Sequence, residues 1–237
     1  MQTIKIDINK VTEEQVDFIA GYLKRGQVIA YPTDTVYGLG CDASNELAIK
    51  KIKKIKNQQN KKPMLVLVSS FKMLEKYCLV NAEQMEYLKK VWPESKPPLS
   101  SSPPIWRAGF VRRGTNANPP HPPLQGGRDK GAESRPVTVI LENRNNLPVE
   151  LTGGLNSLAV RLPKSEFLIK IICQGGFPIV STSLNKTGQP PLNNVKNLEK
   201  YFEHLPDLAV DAGECERAKP SRLVDLRDIK NIRVIRK

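Results

Sequence analysis

The sequence predicts an α/β (α+β) fold, in which helices flank a largely buried, mixed sheet, and two features indicate it. Short apolar runs with the length of buried strands alternate along the chain with longer segments of helical periodicity. Strands and helices in this order are typical of one sheet covered by helices. At 237 residues, the chain is long enough for a core that requires no disulfide or structural metal.

The first predicted helix lies in "VTEEQVDFIAGYLKRG", residues 11–26. Thr12 and Gln15 have the spacing of a capping box, and Gly26 is typical of a helix end. The same signals predict further elements in the N-terminal part of the chain. In order, these are a strand at 28–31, a helix at 44–56 capped by Ser44, a strand at 64–68, and helices at 71–77 and 82–91.

Beyond residue 135 the alternation of strands and helices continues. The sequence "EFLIKIICQ", residues 166–174, predicts a helix that ends at Gly175 and Gly176. The other predicted elements are strands at 137–141, 157–162 and 178–181, a helix near 195–203, and strands at 208–211, 222–226 and 232–235.

Residues 94–135 interrupt this pattern. They contain eight of the 19 prolines of the chain and contribute +4 to its net charge of +13. Because proline lacks the amide donor that helices and central strands require, we expect a polyproline-like or disordered insertion. We interpret it as functionally neutral, with Trp106 and Phe110 as the two hints of a docking site. The rest of the chain, within 1–237, is predicted to form a single domain.

The charge of +13, from 37 basic and 24 acidic residues, favours polyanionic partners such as nucleotides or RNA. A lysine-rich surface without such a partner is the alternative. The two histidines, His121 and His204, are poorly placed for a Ser-His-Asp triad. No spacing typical of a metal site is present.

The cysteines are scattered without a C-x-x-C pair, which favours a reducing compartment. The N-terminal segment lacks the apolar core of a signal peptide, and no apolar run approaches the roughly 20 residues of a membrane helix. We therefore expect a cytoplasmic protein without a membrane partner. The four cysteines are Cys41, Cys78, Cys173 and Cys215.

The segment "VIAYPTDTVYGLGCDA", residues 28–43, leads from a predicted buried strand into Pro32 and three hydroxyl side chains, those of Thr33, Thr35 and Tyr37. Hydroxyl groups both donate and accept hydrogen bonds, which suits the wall of a polar binding cavity. The alternative is an ordinary turn, because Pro and Thr are favoured in turns for backbone reasons.

Six motifs, in this order, resemble those of the YrdC-like threonylcarbamoyl-AMP synthases. They are "YPTDTVYGLG", a lysine-bearing helix, "RPVTVIL", "LAVRLP", "PIVSTSLNKTGQPP" and "KPSRLVDL". The resemblance covers nearly the whole chain except residues 94–135. It implies a single YrdC-like domain, with a twisted mixed sheet, flanking helices and a large open cavity. No sequence follows "IRVIRK", residues 232–237, so we expect no extra C-terminal domain.

The resemblance implies a nucleotidyltransferase that makes threonylcarbamoyl-AMP and pyrophosphate from L-threonine, bicarbonate and ATP. A threonylcarbamoyl transferase complex then uses the product to modify an adenosine of tRNA, and tRNA itself is a potential ligand. Such chemistry depends on positioning and charge stabilisation, so no protein nucleophile is expected. Mg²⁺ is expected to accompany ATP, although no carboxylate pair identifies its ligands.

The same resemblance implies two sets of binding residues. The residues expected to bind L-threonine are Thr35, Arg161, Ser181 and Ser221. The residues expected to bind ATP are Lys56, Gln58, Lys62, Ser157, Ser183 and Asn185.

Residue types support this assignment. Arg161 lies in an apolar strand, where a guanidinium indicates a bidentate anion contact; an outward-facing, solvated arginine is the alternative. Lys56 supplies a point charge for a triphosphate, and Ser183 with Asn185 supplies neutral donors. The alternative for "STSLNKTG" is a polar turn before a helix.

Two positions depart from the family pattern. Gln58 replaces an arginine, so one fixed positive charge toward the phosphates is missing, and Leu67 stands where some members have histidine. We hypothesise that Lys62 or an arginine of the insertion supplies the missing charge. A non-catalytic RNA-binding or nucleotide-binding protein remains the alternative function, although no RNP-like aromatic cluster is present. A third candidate is a carbamoyl transferase domain for another acceptor, which usually occurs in longer chains with metal motifs.

Overall fold

The computed structural model describes residues 1–59, 62–92, 135–215 and 220–236. These residues belong to one compact unit, Met1–Ser95 with Arg135–Lys237. Apart from Arg135, the predicted insertion at 94–135 lies outside the described residues, and so do the predictions about its order and about Trp106 and Phe110.

The described residues form eleven strands in one mixed sheet. The strands are β1 (Gln2–Lys5), β2 (Ile29–Tyr31), β3 (Gly38–Gly40), β4 (Leu65–Leu67), β5 (Cys78–Leu79), β6 (Val137–Asn143), β7 (Ser157–Arg161), β8 (Ile179–Ser183), β9 (Leu208–Asp211), β10 (Arg222–Asp225) and β11 (Arg233–Arg236). Their order in the sheet is β1-β9-β2-β3-β8-β4-β7-β6-β10-β11, with β5 paired to β6. The pairs β1/β9, β2/β9, β4/β7 and β6/β10 are parallel, and the others are antiparallel. The prediction of a mixed sheet with flanking helices is therefore confirmed.

Helices cover both faces of this sheet. The helices are α1 (Glu13–Lys24), α2 (Glu46–Ile55), α3 (Phe71–Tyr77), α4 (Ala82–Val91), α5 (Val149–Thr152), α6 (Glu166–Gly175) and α7 (Leu198–Tyr201). Successive residues around β4 pack on opposite faces of the sheet. Val66 and Val68 pack into an apolar cluster with α2, α3 and α4, whereas Leu67 packs into a second cluster with α1 and α6. This alternation is the period of two that a strand imposes on its side chains. None of the helices in the described ranges is both long and apolar enough to cross a bilayer.

The local signals at helix ends were mostly correct. The predicted capping box of α1 is confirmed, with the Thr12 hydroxyl accepting from the Gln15 amide at 3.2 Å and the Gln15 side chain accepting from the Thr12 amide at 3.1 Å. The prediction that Ser44 caps α2 is wrong. Asn45 accepts from the Ala48 amide instead, because the Ser44 hydroxyl donates to Asp42 Oδ1 at 2.7 Å.

Four short elements were not predicted, namely β1, β3, β5 and α5, and the last predicted helix, at 195–203, is shortened to α7. The strand β3 was not predicted because two of its three residues are glycine, which is depleted in strands. Packing explains the glycine at position 40. An added Cβ there would lie 2.6 Å from Cε1 of Tyr31 and 2.7 Å from the carbonyl oxygen of Val180.

We expect Gly40→Ala to lower the free energy of unfolding by about 1–3 kcal/mol, because a fixed backbone carbonyl cannot yield to the methyl group. Denaturant unfolding followed by circular dichroism measures this change. The matched control is Gly21→Ala in α1, where the nearest atom is the flexible end of Arg25 at 3.3 Å. That variant should be neutral or more stable by up to about 1 kcal/mol. Equal stability of the two variants would contradict the packing argument.

A hydrogen bond joins the two described ends of the chain around the insertion. Trp92 follows α4, and Val137 begins β6. The indole N–H of the buried Trp92 donates to the carbonyl oxygen of Val137 at 2.7 Å. The two described ends on either side of the predicted insertion therefore lie next to each other.

Candidate functional site

A cavity of about 660 Å³ lies where the loop after β2, the end of α2, β7, β8 and the C-terminal strands meet. The structure places nine of the ten residues predicted to bind ligands on its wall. These nine are Thr35, Lys56, Gln58, Lys62, Arg161, Ser181, Ser183, Asn185 and Ser221. Residues distant in sequence are thus brought to one place, while their roles stay predictions.

Ser157 is the predicted residue that the structure does not place on this wall. It begins β7, where it pairs with Glu142 of β6. Arg161 ends the same strand, and four residues of strand separate the two by roughly 13 Å. The position of Ser157 therefore gives its predicted ATP contact no support. Leu67 likewise lies away from the cavity, since its side chain is buried in the cluster with α1 and α6.

The hydroxyl-rich loop after β2 is both a turn and a part of the cavity wall. The Thr33 hydroxyl accepts from the amides of Thr35, at 3.1 Å, and Val36, at 3.2 Å, and donates to the Val36 carbonyl at 2.6 Å. Its oxygen also lies 2.9 Å from the Thr35 hydroxyl oxygen. Thr33 therefore fixes the loop, and this places Thr35 on the wall. The loop is therefore both the turn and the cavity wall that its sequence suggests as alternatives.

Tyr37, the third hydroxyl of that loop, holds the loop to the segment after β9. Its hydroxyl donates to the Gly213 carbonyl at 2.8 Å and accepts from the Ala212 amide at 2.9 Å. Burial raises the pKa of Tyr37 to about 12, so the hydroxyl stays protonated near neutral pH. We assign Tyr37 a structural role.

Lys56 joins the end of α2 to the segment after β8. Its ammonium group donates to the carbonyl oxygens of Ser183, at 2.5 Å, and Asn185, at 3.0 Å, and to Asn185 Oδ1 at 2.7 Å. The Ser183 hydroxyl also donates to Asn185 Oδ1, at 2.6 Å. Burial, and secondarily the charge of Lys62, lowers the pKa of Lys56 to about 8. A buried positive charge therefore orders the Ser-x-Asn segment.

Arg161 projects a buried guanidinium into the wall from the end of β7. Its side chain is 3% exposed, and its Nη2 lies 2.9 Å from Oδ1 of Asp34. Its Nε has no hydrogen-bond partner in the described structure. Arg161 lines the cavity, and a buried guanidinium in that position is suited to an anion.

Arg236 is a cavity residue that sequence reasoning missed. It ends β11, and its guanidinium donates to the carbonyl oxygen of Ser221 at 3.0 Å and to the Ser221 hydroxyl at 3.2 Å. The Ser221 hydroxyl lies 2.8 Å from that of Thr138. In "IRVIRK" the signal was weak, because one arginine among several basic residues of a terminal strand is usually solvated.

The cavity wall is electrostatically positive. It carries Lys56, Lys62, Arg161 and Arg236, and burial followed by the charge of Arg161 lowers the pKa of Arg236. Positive side chains that lie near one another are stabilised when an anion binds beside them. The arrangement therefore favours an anionic ligand with several charges, such as a polyphosphate together with a carboxylate. In the described ranges, no group of three or more His, Cys, Asp or Glu residues could hold a metal ion.

Comparison with known proteins finds one family model and several relatives that match this chain. The family model Sua5_yciO_yrdC, described as "Telomere recombination", matches residues 21–97 and 128–237 and omits 98–127, which lies inside the predicted insertion. A threonylcarbamoyl-AMP synthase of Pyrococcus abyssi is 27% identical over 226 residues, which is 94% of this chain and 54% of that protein. A threonylcarbamoyl-AMP synthase of Klebsiella pneumoniae is 28% identical over 221 residues, with 92% and 94% covered.

Solved structures of other proteins also superpose on this chain. Sua5 of P. abyssi, complexed with L-threonine, superposes with a TM-score of 0.69 at 26% identity, over 95% of this chain and 54% of that chain. YciO of E. coli superposes with a TM-score of 0.70 over all of this chain and 94% of its own, and at 20% identity it supports the fold alone. The chain thus spans about half the length of the Pyrococcus proteins and nearly all of YciO.

Proposed function

The chain belongs to the Sua5, YciO and YrdC family, and from this premise we propose that it is a threonylcarbamoyl-AMP synthase. The amine of L-threonine condenses with bicarbonate to a carbamate and releases water, and a carbamate oxygen then attacks the α-phosphorus of ATP and displaces pyrophosphate. The observation that carries the proposal is the positive cavity, which gathers nine of the predicted residues around a buried guanidinium. The product supplies a transferase complex that modifies tRNA, and we place this work in the cytoplasm.

L-Threonine binds at the Arg161 side of the cavity. Its carboxylate pairs with the guanidinium of Arg161, whose Nε is without a partner in the described structure. The hydroxyl groups of Thr35, Ser181 and Ser221 lie on the same wall and suit the hydroxyl and amino groups of the substrate. The related Sua5 of P. abyssi was solved with L-threonine, which supports this class of ligand.

ATP binds with its phosphates toward Lys56, Lys62 and Arg236. Fixed positive charges and ordered donors stabilise the charge that develops as pyrophosphate leaves, without a covalent intermediate. Lys56 contributes in two ways, by its charge and by holding Ser183 and Asn185 in place through three hydrogen bonds.

Mg²⁺ is proposed to arrive with ATP. The donor set of the wall fits this mode, because it offers hydroxyl and carbonyl oxygens and no cluster of carboxylates in the described ranges. Mg²⁺ keeps several waters and binds phosphate oxygens readily. The ion would neutralise charge on the phosphates, while Ser183, Asn185 and the cations position them.

The test is pyrophosphate release by the purified protein, with a search for threonylcarbamoyl-adenylate by mass spectrometry. Release that requires both L-threonine and bicarbonate establishes the synthase. Binding of ATP or RNA without turnover under the same conditions rejects it and favours a non-catalytic binding protein. Arg227→Met should retain this activity and serves as the control for variants of the cavity arginines. The reason is that Arg227 pairs with Asp225 and is not among the residues of the cavity wall.

We expect Lys62→Met to raise the KM for ATP by about 5-fold to 10-fold, as for one exposed charge toward a polyanion. The reason is that Gln58 occupies the position of a family arginine and supplies no charge there. Its side chain instead donates to the Lys62 carbonyl at 3.4 Å. Steady-state kinetics with ATP as the varied substrate measures the change.

A second variant, in which residues 94–134 are replaced by a short glycine-serine linker, separates the two sources of charge. An unchanged KM for ATP in both variants would reject the hypothesis that Lys62 or the insertion compensates for Gln58. Lys72→Met, on α3 and not among the residues of the cavity wall, is the control for loss of one lysine.

A further inference from the structure

Asp34 connects the hydroxyl-rich loop to the strand that carries Arg161. It stands between Thr33 and Thr35, and its Oδ1 lies 2.9 Å from Nη2 of Arg161. Its Oδ2 accepts from the Lys164 amide at 3.3 Å. The Asp34 side chain is 13% exposed and that of Arg161 is 3% exposed, so the ion pair is shielded from water.

The contact between these two side chains is electrostatic and is not an aligned hydrogen bond. Both Oδ1 of Asp34 and Nε of Arg161 are buried without a hydrogen-bond partner in the described structure. A buried ion pair with unsatisfied atoms adds little to stability, because desolvation offsets the attraction. A gain in stability therefore does not explain why Asp34 is paired with Arg161.

The second positive charge at the cavity supplies that explanation. Arg236 lies close enough for the charge of Arg161 to lower its pKa, after the larger effect of burial. The two positive guanidinium groups repel each other. Asp34 counteracts that repulsion on one side of Arg161 and leaves the Nε donor unused.

We propose that Asp34 is a positioning residue, which holds the Arg161 guanidinium in the orientation that receives the carboxylate of L-threonine. This inference rests on the proposed function and deepens it. Asp34 acts through Arg161 and does not bind the substrate, since its carboxylate would repel that of threonine. The loop that carries Thr35 and the guanidinium of Arg161 are thereby ordered together.

The decisive experiment is a double-mutant cycle on the full chain with Asp34→Asn and Arg161→Lys. Asp34→Asn keeps the shape of the side chain and removes its charge. We expect it to raise the KM for L-threonine about 10-fold, the effect of one charge-assisted contact, and to leave the Kd for ATP within about 2-fold. In the Arg161→Lys background, which lacks the planar fork, Asp34→Asn should change the KM less than about 3-fold.

The controls separate positioning from a general effect. Asp42→Asn removes an aspartate that caps the Ser44 amide and contacts no guanidinium in the described structure, so the KM should not change. An equal rise in KM in both backgrounds, or no rise in the first, overturns the proposal. If Asp34→Asn does not fold, Asp34→Glu keeps the charge and displaces it by one methylene. A folded Asp34→Glu protein with an unchanged KM likewise overturns the proposal.

A spectroscopic readout distinguishes failure of this inference from failure of the proposed function. The Nε–H signal of Arg161 in a ¹H–¹⁵N spectrum is identified by its loss in Arg161→Lys. Asp34→Asn should shift or broaden that signal, with or without turnover. An unchanged signal overturns the positioning role, whereas absent threonine-dependent turnover with a shifted signal overturns only the proposed reaction.

Discussion

Replacing Arg161 with methionine is expected to raise the KM for L-threonine by about 100-fold or more. A hydrogen-bonded charged group contributes about 1.5–3 kcal/mol, and the variant also leaves the carboxylate of Asp34 buried without its ion-pair partner. Pyrophosphate release at varied L-threonine concentration measures the change. The Kd for ATP, from calorimetry, should stay within about 3-fold, because the proposed phosphate site lies at Lys56 and not at Arg161.

The control for Arg161→Met is Arg227→Met, which also separates an arginine from an aspartate. Arg227 is 43% exposed and pairs with Asp225 at 2.7 Å. Its loss should leave the KM for L-threonine unchanged. If Arg161→Met weakened ATP binding and threonine binding equally, Arg161 would contact the nucleotide, and the assignment of the carboxylate to it would be wrong.

Lys56→Met is expected to raise the Kd for ATP by about 30-fold to 100-fold. The substitution removes a charge from the proposed phosphate site and three hydrogen bonds that order Ser183 and Asn185. Calorimetric titration with ATP measures the loss. The exposed Lys50 of α2, which pairs with Glu46, supplies the control Lys50→Met. Nearly unchanged affinity in Lys56→Met would show that the nucleotide binds elsewhere.

The pKa of Lys56 adds a pH dependence with a definite sign. Because its pKa is lowered from 10.5 to about 8, the charge that favours an anion is lost as the pH rises through about 8. The affinity for ATP should therefore fall between pH 7 and 9 in the parent protein, and less so in Lys56→Met. The unfolded chain binds more protons at this lysine between pH 8 and 10.5, so its contribution to stability rises with pH in that window.

The sequence predicted what local patterns control. The capping box at Thr12 and Gln15, and the apolar strands, follow from residue spacing alone and were confirmed. The α2 cap was mispredicted because Ser44 and Asn45 are both good caps, and the choice depended on the position of Asp42. The strand β3 depended on a close approach of Tyr31, which no local pattern records.

The site was predictable where a motif stands for geometry, as at Thr35, Lys56 and Arg161. It was not predictable where contacts cross the sheet. Asp34 contacts Arg161 although the two residues lie 127 positions apart in the sequence. Arg236 reaches the cavity because β11 pairs with β10, whose register was not readable from the sequence. Motif matching also selected Ser157, whose strand position lies away from the wall.

The hydrogen bond from Trp92 to Val137 makes this point of the fold suitable for the insertion of another protein domain. Because the two flanking residues are fixed to each other, a flexible linker added between them would enter the energetics mainly through loop entropy. Each doubling of the linker length costs only about 0.6 kcal/mol. A fluorescent protein or an affinity module inserted between them through flexible linkers would therefore report on this protein from within a single polypeptide, without a fusion at either end.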